Sequence, residues 1–174
     1  MQMKFNFTNI VVISFILFGL IFWNVAQSDT TKPLENKPGF NMKIVEKGRY
    51  LSKIAGCNDC HTAGYLQSEG SVPENLWFTG DTFGWRGPWG TTYGTNLRLL
   101  VNDLTEKEWV EMAKTLKNLP PMRWFSLNAM TNEDLQAIYQ FIRYLGPGGR
   151  PAPDYLPPGQ KPIGPHAIFP KSPK

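Results

Sequence analysis

Two cysteines and two histidines are all that the 174-residue chain holds, and three of those four residues lie within five positions: Cys57-Asn58-Asp59-Cys60-His61. C-x-x-C-H is the attachment pattern for c-type haem. The spacing has a physical reason. Two thiols must reach the two vinyl-derived carbons on one edge of a porphyrin, and the next imidazole must rise beneath the iron. One helical turn presents all three groups suitably. A chance match in a chain of this composition is on the order of 3 in 10,000, which sets the motif apart from looser short patterns. The expectation is one covalently bound haem c, held by Cys57 and Cys60 and ligated by His61.

Other uses of the same residues fit less well. A structural staple between cysteines only three positions apart removes little loop entropy. A dithiol redox pair calls for a βαβ setting, and none is visible. A zinc site needs four ligands, and only His166 could join, from a proline-rich tail. A disulfide between Cys57 and Cys60 would leave His61 unexplained.

The second axial position of such a haem is commonly closed by a methionine thioether, which raises the potential. Met112, Met122 and Met130 are the candidates. Met112 lies on the apolar face of an expected helix, which favours a core role. Met130 immediately precedes another helix. Met122 follows Pro120-Pro121 in a stiffened loop and is the preferred ligand, with Met130 as the alternative.

These groups must be positioned by the elements around them. A first helix fits Asn41 to about Ala55, with Ile44, Gly48, Leu51 and Ala55 on one face and Gly56 as a stop. A second fits Thr105–Lys117, opened by a Thr105/Glu108 capping box and lined by Trp109, Met112 and Leu116. A third fits Asn132–Leu145, capped by Thr131 and ended by Gly146-Pro147, with Leu135, Ile138, Ile142 and Leu145 at helical period. Residues 62–104 resist assignment. Glycines break the segment repeatedly, and Trp77, Phe78, Phe83, Trp85, Trp89 and Tyr93 are scattered through it. An irregular stretch of that length is unusual in a compact domain, and a large flat cofactor would account for it. From Gly146 onward there are nine prolines in 29 residues. That tail is expected to lie extended over the surface or to be disordered, and not to form a central strand.

The amino terminus reads as an address. Residues 1–9 carry Lys4 and no acid, residues 10–23 run IVVISFILFGLIFW, and Ala26-Gln27-Ser28 resembles a cleavage site. This is the layout of a secretory signal peptide. The apolar run is at the long end for a signal core and short for a full membrane span, which leaves an uncleaved anchor through residues 10–23 open. Either way the remainder is exported, and the expected location is the periplasm, soluble or anchored to the inner membrane. The expected organisation is 1–28 signal peptide or anchor, 29–40 linker, 41–146 haem domain and 147–174 extended tail. The formal charge of +4 is small, and no basic run or interleaved aromatic stripe suggests nucleic acid.

The run from Met42 through GRYLSKIAGCNDCHTAG, together with GTNLRLLVNDLTEKEW and PPMRWFSLNAMTNEDLQAIYQFIRYLGP, resembles the class I, single-haem cytochrome c family. It is especially similar to domains found alongside bacterial periplasmic dehydrogenases. The resemblance covers about residues 42–160. It implies an all-α fold of about three main helices around one haem, with long loops. It places the axial methionine at Met122, although Arg123 follows where many relatives have proline. It also implies a close crossing of the first and last helices, with Gly48 and Tyr50 meeting Tyr139 and Ile142 or their neighbours. Trp89, Arg98, Trp109 and Trp124 are further candidates for contact with the haem or its carboxylates, each weighed against an ordinary core or surface role. The expected function is one-electron transfer, not catalysis, between partners such as a dehydrogenase and a terminal oxidase. A haem-based ligand binder or sensor, or a small peroxidase, would require an open sixth position.

Overall fold

The computed structural model describes residues 33–170, and the expected signal peptide or anchor over 1–28 lies outside them. Helix α1 spans Met42–Ile54, α2 Asn58–His61, α3 Leu97–Asn102, α4 Glu106–Thr115, α5 Trp124–Ala129 and α6 Asn132–Leu145. Strands β1 (Gly84–Gly87), β2 (Gly90–Tyr93) and β3 (His166–Ile168) form a small sheet in the order β2-β1-β3. None of the described helices is long and apolar enough to cross a membrane.

The frame is the packing of α1 on α6. Helix α6 starts at Thr131, whose hydroxyl accepts from the Asp134 amide, and stops at Gly146 with φ +73°. It buries Leu135, Ala137, Ile138, Tyr139, Phe141, Ile142 and Tyr144. Each large apolar side chain so buried contributes about 1.5–3 kcal/mol. Helix α1 meets it through Val45, Gly48 and Ser52. This face is turned by one residue from the expected Ile44/Leu51/Ala55 line, because Ser52 can be buried by donating its hydroxyl to the Gly48 carbonyl at 2.7 Å. Ile44 is left 39% exposed. Gly48 sits at the point of closest approach: a Cβ there would lie 1.9 Å from the Ala137 carbonyl oxygen. The partners are thus Ala137 and Phe141, neighbours of the expected pair, while Tyr50 is exposed and takes no part in the crossing.

Helix α4 carries the anticipated capping box between Thr105 and Glu108. Its buried residues are Trp109 and Ala113, and the Trp109 indole N–H donates to the Leu135 carbonyl of α6 at 2.9 Å. Residues 34–40, expected as a linker, are held against this frame. The Leu34 amide donates to Glu46, the Tyr144 hydroxyl donates to the Glu35 carbonyl, and Phe40 meets the Tyr144 ring edge-on.

The segment 62–104 contains more order than its glycines suggest. Trp77 and Phe78 are fully buried and meet Phe141 edge-on, with Tyr65 against Trp77. These aromatics therefore pack into the protein's own core. The hairpin β1–β2 turns at Pro88-Trp89 between Gly87 and Gly90. Strand β3 comes from the proline-rich tail and pairs parallel with β1, Gly84 opposite His166 and Arg86 opposite Ile168. The tail is thus paired instead of loose, at the sheet edge, over three of the four residues between Pro165 and Pro170.

Candidate functional site

Helix α1 is capped at Ala55, and Gly56 beyond it, with a φ of +70°, lets the chain turn sharply into the next helix. Cys57 opens α2, and the His61 amide donates to the Cys57 carbonyl at 3.1 Å. One turn thus places Cys57, Cys60 and His61 on one side of a short helix, at i, i+3 and i+4. Both cysteines are half-buried and free. Burial, reinforced by the Asp59 carboxylate, pushes the Cys57 thiol up to about 12. Burial, with Asp59 and Asp81, pushes Cys60 up to about 11. Neither has the lowered pKa of a redox-active dithiol.

The turn is fixed from three sides. The Gly80 amide donates to the His61 carbonyl at 2.9 Å. The buried Thr62 hydroxyl donates to Asn58 and accepts from the Phe78 amide. Gly94 lies so close that a Cβ on it would fall 1.6 Å from the Cys60 carbonyl oxygen. The His61 ring is set by Nδ1, 2.7 Å from the Thr95 carbonyl. A carbonyl only accepts, so Nδ1 carries the proton and Nε2 presents its lone pair. Burial lowers the His61 pKa, with the Thr95 bond as a smaller opposing influence, which favours the neutral ring. A neutral imidazole with one nitrogen committed to a backbone carbonyl is the form in which histidine binds a metal.

The three methionines part company here. Met112 and Met130 pack against the hydrophobic core. Met130 also ends α5, and its carbonyl accepts from the Lys114 ammonium. Met122 is half-buried and stands outside that core packing. Its loop is tied to the hairpin: the Thr92 hydroxyl donates to the Pro120 carbonyl at 2.8 Å. Thr92 and Thr95 are three residues apart, a span of at most about 11 Å. A single stretch of chain therefore reaches both the Met122 loop and the His61 ring.

The secondary candidates divide as well. Arg98 is buried and donates to the carbonyls of Gly146 (2.5 Å), Leu145 (2.6 Å) and Asn75 (2.7 Å). Its guanidinium holds the end of α6 and is not offered to a ligand. Trp109 is core, and Trp124 meets Phe125 edge-on. Trp89 and its hairpin neighbour Trp85 differ: both carry buried indole N–H groups with no partner, and both rings lie against Phe169. The sequence reading missed Thr92, Gly94 and Thr95. A signal existed for Gly94 alone, since a glycine within a strand-like run marks a close backbone approach.

No family model matches the chain, and no solved structure does. The chain is 28% identical over 121 residues to the cytochrome c subunit of alcohol dehydrogenase (quinone) from Gluconacetobacter polyoxogenes, and equally to that from Komagataeibacter europaeus. The match takes in 64% of this chain and 24% of each relative, so the chain spans about a quarter of their length. The chain thus has a distant cytochrome c-like relationship.

Proposed function

We propose that this chain is a monohaem c-type cytochrome that carries single electrons between redox partners outside the cytoplasm. Cys57 and Cys60 hold the haem, and His61 and Met122 are the axial ligands. The observation that carries the reading is the coincidence on one helical turn of two free thiols and an imidazole whose Nδ1 is already spent on Thr95. Attachment needs no oxidant. Each S–H adds across a vinyl C=C, so that an S–C bond forms and the hydrogen goes to the adjacent carbon.

Bound there, haem supplies a one-electron iron couple whose potential a thioether ligand raises. The protein's part is to fix the ligands and shield one face. The Thr95 carbonyl orients His61, Thr92 holds the Met122 loop, and the unpartnered Trp85 and Trp89 N–H groups offer donors to haem carboxylates. The α1–α6 crossing at Gly48, the haem turn after α1 and the methionine loop before α6 support a class I cytochrome c-like fold, with the small sheet as an addition. The names of the relatives support a dehydrogenase as one partner. The apolar run 10–23 supports export, with or without anchoring to the inner membrane.

The test is spectral. Oxidised holoprotein is expected to be low-spin with a weak sulfur-to-iron charge-transfer band, which Met122→Leu abolishes and Met130→Leu retains. A high-spin ferric form in the unaltered protein, with rapid carbon monoxide uptake on reduction, would instead indicate a ligand binder.

A further inference from the structure

Proline lacks an N–H, so the tail beyond Gly146 can pair only where other residues fall. Two places do. Leu156 exchanges both backbone hydrogen bonds with Thr91, at 2.8 and 3.0 Å, along the outer edge of β2. Residues 166–168 pair with β1 on the other side. The same tail thus clasps the hairpin along both edges. Its root is secured as well: the Asn96 side-chain Nδ2 donates to the Gly148 and Arg150 carbonyls, at 2.8 and 3.1 Å. The Tyr155 hydroxyl donates to the Trp89 carbonyl at 2.6 Å. Gly90 has no room for a side chain here, since a Cβ would lie 2.2 Å from the Leu156 carbonyl oxygen.

A hairpin of four-residue strands is marginal alone in water. Its neighbours must therefore supply its rigidity, and here they are tail residues. The residue after Thr91 is Thr92, which holds the Pro120 carbonyl two residues before Met122. We propose that the tail is a clamp that positions the sixth ligand, acting from Leu156 through Thr91 and Thr92 to the Met122 loop. This rests on the Met122 ligation proposed above. Leu156 and Thr92 are positioning residues.

The test uses oxidised holoprotein and imidazole, which competes with a methionine for the iron. Leu156→Pro removes the N–H given to Thr91, and Thr92→Val removes the hydroxyl given to Pro120. Each is expected to raise imidazole affinity about fivefold, the effect of one hydrogen bond, and to speed tryptic cleavage after Lys117. Thr92→Ser is expected to restore both. Val45→Ala, which weakens the core away from the clamp, is expected to lower the melting temperature and leave imidazole affinity unchanged. Met122→Leu separates the two claims. If it binds imidazole more tightly but Leu156→Pro and Thr92→Val stay within about twofold of the unaltered protein, the clamp is overturned and the ligation stands. If Met122→Leu binds no more tightly, the ligation fails and the clamp falls with it.

Discussion

The Cys60 carbonyl and Gly94 touch backbone to backbone: the space a Cβ would need at Gly94 is filled by that oxygen at 1.6 Å. The contact locks the proposed haem turn to the stretch of chain whose next residue, Thr95, orients His61. Gly94→Ala therefore has to move one backbone or the other. A cost of about 3 kcal/mol is expected, at the upper end for overpacking a tight site. Urea titration of the matured protein reads it, and the low-spin fraction is expected to fall in parallel as the His61 ring turns.

Gly48→Ala sets two effects against each other. Alanine is favoured over glycine within a helix by about 1 kcal/mol. The added Cβ would stand 1.9 Å from the Ala137 carbonyl oxygen and 2.8 Å from the Phe141 Cβ. Backbone overlap of that depth costs more than propensity returns, so net destabilisation of about 2 kcal/mol is expected. A denaturation midpoint equal to or above that of the unaltered protein would show that the helices can separate freely.

Arg98 separates a structural from a cofactor role. Its donors end on Leu145, Gly146 and Asn75 carbonyls. Arg98→Gln leaves some of those buried acceptors unpaired and is expected to cost about 3 kcal/mol. The reduction potential is expected to stay where it is, since the guanidinium's donors end on backbone carbonyls and leave none for a haem carboxylate. A large shift in potential with little loss of stability would mean that the guanidinium faces a haem carboxylate.

Asp134 gives a stability contribution with a defined sign in pH. Hydrogen bonds from Lys47 and Thr131 hold its carboxyl below the usual carboxylate range. A folded-state pKa below the unfolded value stabilises above the unfolded pKa, and the benefit is lost as pH falls through the folded one. The pair is solvent-accessible, Lys47 exposed and Asp134 half-buried, so the effect is expected to stay under about 1 kcal/mol. Asp134→Asn should lower the urea midpoint near neutral pH. The difference from the unaltered protein should shrink as the pH falls through and below the usual carboxylate range.

What could be read in the sequence was local. Helix α6 falls on the residues its period, Thr131 cap and Gly146 stop indicate, and the α4 capping box is where Thr105 and Glu108 place it. The buried face of α1 was misread because Ser52 looks polar until its hydroxyl is turned back on Gly48. Helix α3 is six residues long and announced only by Asn96, which accepts from the Leu99 amide. The sheet was invisible because its pairings are long-range: β3 meets β1 about eighty residues earlier in the chain, inside a tail whose prolines argue against any strand. For the candidate site, the motif itself was legible. The supports at Thr92 and Thr95 were not, because neither the long-range partner of a hydroxyl nor the use of a backbone carbonyl marks residue type, and Gly94 stood as one of many glycines.

The central claim is covalent attachment, and intact mass is its most direct measure. Protein made in a host that matures c-type cytochromes should gain the mass of one haem, stay red after acid–acetone extraction, and leave neither Cys57 nor Cys60 open to alkylation. An unmodified mass, with both thiols alkylated and the chain colourless, would contradict the account.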